Sequence, residues 1–235
     1  MSTPAPIPSL KGVKIGKMGG NSPAPTNSPA PKQPQQDQPQ QEQDNSSGTP
    51  KLPQKTKLYL IIAVVILVLG FVGYKVMQSQ KRSKIRNVVA AAGGQALGEQ
   101  TKTSKCEVTG SLPDRACTPG TTLVSQTETT VCKSGNASAN RNVSATAKKS
   151  AYLNYGIKDH AAGEYEVDHL VPLSLGGGNT SANIWPEATS PAPGWKEKDL
   201  VEVYLYDHVC NGDIDLKTAQ QAIATNWLAI YEKIK

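Results

Sequence analysis

The sequence predicts a small α+β domain tethered to a lipid bilayer by a single helix, and three observations carry that prediction. An uncharged apolar run, LYLIIAVVILVLGFVGY, fills residues 58–74. Past Cys106, short β-branched or alternating stretches lie between turn-rich segments. Two stretches with apolar residues at helical spacing close the chain.

Taken in order, residues 1–57 are dominated by Pro, Gln, Ser, Lys and Gly, with hardly a large apolar side chain. Such a segment buries too little apolar surface to offset its ordering entropy, which predicts a disordered tail with an extended linker over 31–50. It reads first as a spacer and second as a docking tail. The apolar run follows. As a helix it rises about 25 Å, and Val76 and Met77 extend it if Lys75 snorkels, enough to cross a hydrocarbon core of roughly 30 Å. Tyr59 and Tyr74 mark its ends, where amphipathic rings prefer the headgroup level. The span is therefore set at 58–77. Its distance from Met1 and the lack of a small-residue cleavage site argue against a cleaved signal peptide. Residues 78–105 are read as a basic juxtamembrane stalk and 106–235 as the globular domain.

The net charge of +6 is unevenly placed. Residues 1–57 hold 7 Lys and 3 acids, and 75–105 hold 7 Lys or Arg and one acid, which leaves 11 basic and 15 acidic groups in 106–235. The domain is thus mildly acidic, and the overall pI is no argument for nucleic acid. The juxtamembrane excess (Lys75, Lys81, Arg82, Lys84, Arg86) reads as attraction to anionic headgroups. Phosphate contacts in the domain must come from local groups such as Arg141, Lys148 and Lys149.

Two signals conflict on sidedness. Lys51, Lys55 and Lys57 before the span, against those five cations after it, mildly favour a cytoplasmic C-terminus. Cys106, Cys117, Cys132 and Cys210 form an even set without the C-x-x-C pair that zinc sites use, which points to disulfides and export; four reduced, buried thiols are the alternative. The cysteines weigh more, so the N-terminus is placed in the cytoplasm and the domain outside it.

Within the domain, the β-branched stretch Thr121–Val131 suggests a strand. Thr146–Tyr155 reads as a helix stopped by Gly156. Tyr165–Leu170 alternates as a strand, and Ser174–Asn179, with three glycines, must turn tightly. Lys196–Cys210 reads as a helix with Leu200, Val203, Tyr204 and His208 on one face. Asp215 caps a last helix whose stripe, Ala219, Ile223, Trp227 and Ile230 or Tyr231, predicts core.

Chemistry concentrates in Glu166–Glu187, EVDHLVPLSLGGGNTSANIWPE. Asp168 and His169 are adjacent at a strand end, followed by a glycine turn and two asparagines four apart. Neighbours on a strand face opposite ways, so only a local distortion would bring both to one site. There a carboxylate could hold a divalent cation while the imidazole takes a proton from water. Read alone, the pair is better explained by a histidine satisfied by hydrogen bonds in a turn-rich corner.

The run Asp168-His169-Leu170-Val171-Pro172-Leu173-Ser174-Leu175-Gly176-Gly177, with Asn179 and Asn183 following, resembles the ββα-metal core of HNH nucleases. A wider stretch, about 117–235, resembles a group of small exported bacterial proteins through Tyr155-Gly156, Tyr165-Glu166, Trp185-Pro186, Lys198-Asp199, Val209-Cys210, Ala219-Gln220, Ile223-Ala224 and Trp227. The resemblance implies a ββα core followed by C-terminal helices, with Asp168 as a metal ligand, His169 as general base and Asn183 bracing the histidine's loop; Asn179 would order the turn. The implied ion is divalent, Mg²⁺ first, with Mn²⁺ or Zn²⁺ as alternatives, and the implied substrate is nucleic acid, DNA ahead of RNA. A second metal-binding histidine, usual in the family, is replaced by Ala192, and the paired zinc knuckles are absent. Substitute ligands must then come from Glu187, Asp199 or Glu202, with Asp199 or Glu202 preferred because they share a helix face. The wider group also implies a Cys132–Cys210 disulfide, and Cys106–Cys117 would close a short loop.

Three functions follow as expectations: a membrane-anchored, metal-dependent endonuclease acting outside the cytoplasm; an inactive HNH-like module that binds nucleic acid or protein at the cell surface; and a surface interaction protein using the Gln/Pro tail. The acids beside the histidine favour the first, and the acidic domain charge favours the third.

Overall fold

A computed structural model describes residues 51–235 of the chain. The tail and linker expected over 1–50 lie outside the described residues.

Helix α1, Gln54–Ala90, is 37 residues long and contains the apolar run. Its most apolar window has a mean hydropathy of 2.6 and none of it is buried, so by length and composition it can cross a membrane. Leu60, Ile66, Leu67, Leu69 and Phe71 are all exposed, so the helix is apolar on every side over this run. The helix runs on without a break past Met77, through the stretch read as a stalk. Ile85 and Val89 on its last turns, and Ala92 beyond them, are buried in the hydrophobic core. Lys81 and Arg82 bind the Asp213 carboxylate at 3.3 and 3.7 Å. The end of this long apolar helix is thus part of the domain.

The domain is mixed helix and strand. Short helices α2 (Glu128–Val131) and α3 (Asn136–Ala139) precede α4 (Ala145–Asn154). Strands β1 (Tyr165–His169) and β2 (Ile184–Ala188) form an antiparallel pair in which Glu166 faces Glu187 and Asp168 faces Trp185. Helices α5 (Trp195–Cys210) and α6 (Leu216–Ile234) follow. The strand expected at 121–131 does not form. Thr127 accepts from the Thr130 N–H and starts α2 instead, and Thr122 makes only an isolated bridge to Gly177. Capping chemistry overrode β propensity there.

Helix α6 buries Ala219, Ile223, Trp227 and Ile230, the stripe read from the sequence, and Asp215 caps it by accepting from the Thr218 N–H at 2.8 Å. In α5 the buried face is instead Lys198, Val201, Leu205 and Val209, while Leu200 and Val203 are exposed. Two disulfides staple the domain. Cys132–Cys210 joins the end of α2 to the end of α5, and Cys106–Cys117 closes the loop ahead of them.

Candidate functional site

Strand β1 carries two sites on its two faces. The pairing is regular through His169, opposite Ile184, so alternation sends Asp168 toward α5 and His169 away from it. The distortion that would unite the two side chains does not occur.

On the first face Asp168 meets Lys198. The Lys198 side chain, projecting from the first turn of α5, is fully buried. Its ammonium donates to Asp168 Oδ2 at 2.5 Å, to the His169 carbonyl at 2.8 Å and to the Glu202 carboxylate one turn along α5. An ammonium has three donors, and all three are used. Burial opposes its charge, but the carboxylates of Asp168, Glu202 and Glu187 outweigh burial and raise the Lys198 pKa. Burial also works against ionised Asp168, yet the Lys198 charge and hydrogen bond hold that carboxyl below its ordinary range. Glu202 goes the other way: burial, against the pull of Lys198, pushes it up to about 7.

Glu187 adds a buried carboxyl from β2. It is wholly buried and neither carboxyl oxygen meets a donor. Burial first, and the nearby Asp168 charge after it, raise its pKa well above the ordinary value against the pull of Lys198. Asp199, the other preferred ligand, is exposed on α5.

These residues do not fit a divalent ion as they stand. Glu202 does face Asp168, but the Lys198 ammonium occupies the space between them, and a cation placed there meets like charge at contact distance. Among the described residues no group of three His, Cys, Asp or Glu side chains is placed to hold a metal ion.

On the second face His169 borders a cavity of about 570 Å³, together with Arg141, Lys148, Tyr152, Tyr165 and Trp195. Lys149 is exposed and outside its lining. His169 Nε2 lies 3.1 Å from Asn179 Oδ1. Asn179 is itself oriented by donating to the Asn140 carbonyl and accepting from the Asn142 N–H. Its oxygen can only accept, so Nε2 carries the proton and Nδ1 the lone pair in the neutral ring. Burial lowers the histidine's pKa, against smaller opposing effects of Asn179 and Asp168, and so favours that neutral ring. Asn179 thus does more than order the turn: it also orients His169.

Asn183 holds the intervening loop. Its side chain donates to the Val171 and Gly178 carbonyls and accepts from the Val171 N–H, each at 2.9 Å. Gly177 must be glycine here, because a Cβ would fall 1.7 Å from the Val171 oxygen. The aromatic walls were not singled out as site residues either. Tyr152 stacks on His160 with ring centroids 4.4 Å apart, and the Trp195 indole donates to Thr189 Oγ1 at 2.7 Å. Comparison with protein-family models, with characterised proteins and with solved structures finds no match.

Proposed function

We propose that this chain is a membrane-anchored HNH-like endonuclease that hydrolyses phosphodiester bonds of nucleic acid outside the cytoplasm. One observation carries the reading: His169, its Nε2 hydrogen-bonded to Asn179, borders a cavity that Arg141 and Lys148 also line. His169 Nδ1 takes the proton of a water whose oxygen attacks phosphorus, and the leaving oxygen is protonated from solvent as its bond to phosphorus breaks. Arg141 and Lys148 offset the phosphate charge. Tyr152, Tyr165 and Trp195 offer faces on which unpaired bases stack. The order strand, turn, strand, helix over β1, β2 and α5 supports the HNH-like frame. The two disulfides support the extracytoplasmic side.

A second reading, a module that grips nucleic acid without cutting it, is favoured by Lys198, because its ammonium fills the space between Asp168 and Glu202 where an HNH ion would be held. One experiment separates them. The full chain in nanodiscs is incubated with plasmid and with RNA, in Mg²⁺, Mn²⁺ or EDTA. Cleavage that disappears in His169→Ala supports the nuclease. Salt-sensitive binding without cleavage, weakened in Arg141→Ala and Lys148→Ala, supports the module. Neither cleavage nor binding refutes both.

A further inference from the structure

Two carboxylates and a backbone carbonyl converge on the Lys198 ammonium, Asp168 and the His169 carbonyl from β1 and Glu202 from α5. We infer that Lys198 is a built-in substitute for a divalent cation, so that the native chain binds no metal at this cluster and deletion of the lysine side chain opens a divalent-cation site.

The acceptors around the ammonium are the kind a hard cation takes: two carboxylates and a backbone carbonyl, all oxygen. A further carboxyl, Glu187, is buried beside them with no donor to either oxygen. Hydrogen-bonding distances from one nitrogen put the Asp168 and Glu202 oxygens within about 6 Å of each other, a gap that one ion can bridge. Lys198 is also held on a rigid helix and sealed from water, so exchange with solvent ions requires local unfolding rather than a side-chain swing.

This inference rests on the same HNH-like frame as the proposed function, but its test contains no nucleic acid, so the two fail separately. Mn²⁺ binding to the full chain in nanodiscs is followed by electron paramagnetic resonance, alongside thermal unfolding with and without Mn²⁺. The native chain should show no Mn²⁺ site that is lost in Asp168→Asn, and EDTA should leave its unfolding midpoint unchanged. Lys198→Gly, which leaves room for an ion, should take up one Mn²⁺ at least about tenfold more tightly than the native chain, with a raised midpoint. A native Mn²⁺ site abolished by Asp168→Asn overturns the inference, as does a folded Lys198→Gly variant with no site. If Lys198→Gly does not fold, the native measurement decides alone: a site that depends on Asp168 overturns the inference, and its absence sustains it.

Discussion

His169 is only 3 % exposed yet borders the cavity, so its replacement separates chemistry from folding. His169→Ala should lower cleavage by about 100-fold or more, the usual span for a lost base, with the unfolding midpoint moved by only a few degrees; unchanged turnover refutes the role. The pH dependence has a definite sign. The folded pKa is depressed below the ordinary 6.5, so the unfolded chain binds the proton more tightly. The histidine's contribution to stability is therefore present above 6.5 and is lost as pH falls through the lower folded value. The acid limb of the cleavage profile should likewise fall below 6.5. Lys198→Met keeps the volume and removes the charge, leaving Asp168 and Glu202 facing each other; the cost is about 3–5 kcal/mol in denaturant titrations near neutral pH. That loss should shrink in acid, because Asp168, which Lys198 holds below its ordinary range, takes up a proton at higher pH once the lysine is gone. At this scale the sequence was legible in part. The Asp168-His169 pair stands out as text, and alternation already warned that the two side chains diverge. Lys198 did not stand out, since a lysine between acids at a helix start reads as solvated, and its burial depends on strand residues thirty positions away.

Helix α1 and helix α6 are packed together through Ile85, Val89, Trp227 and Ile230, all in one buried cluster. A soluble fragment cut near residue 100 would lose the first two from its core. Ile85→Ala should cost about 2–4 kcal/mol for the lost methyl groups and the cavity left behind, read from the fluorescence of the buried tryptophans on denaturation. Fragments beginning at 79 should be markedly more stable than those beginning at 100, and equal stability would show that the α1 contact contributes nothing. The longer disulfide can be weighed too. Cys132–Cys210 closes a sequence separation of 78, so the paired Cys132→Ser and Cys210→Ser variant should lose on the order of 4 kcal/mol through the loosened unfolded state. Among the elements, α6 was readable because its apolar stripe and Asp215 cap agree. The face of α5 was misread because Leu200 and Val203 are exposed while a lysine takes an inward position. Strand β2 was invisible: Trp185-Pro186 looks like a loop, and only pairing with β1 makes it a strand.

At the scale of the whole molecule, the membrane helix was the plainest feature of the text, because an uncharged run has few other uses. The continuity of that helix into the domain core was not legible, since Ile85 and Val89 sit among Lys84, Arg86 and Asn87 and acquire meaning only against α6. That continuity constrains topology. The core begins two turns beyond the apolar run, and Lys81 and Arg82 bind Asp213, so a bilayer crossed by that run would lie close to the domain, whose basic collar is partly neutralised from within. The positive-inside bias after the helix is then weaker than the count of five cations suggests, which tips the balance toward the disulfides as the guide to sidedness. Two measurements on intact cells check this. A membrane-impermeant protease should remove the folded domain while sparing the N-terminal tail, and the four cysteines should resist alkylation until a reductant is added. Protection of the domain together with four freely alkylated thiols would place it in the cytoplasm and remove the basis for an extracellular substrate. Alkylation resistance with protease protection would instead point to a closed, oxidising compartment reached through the same membrane helix.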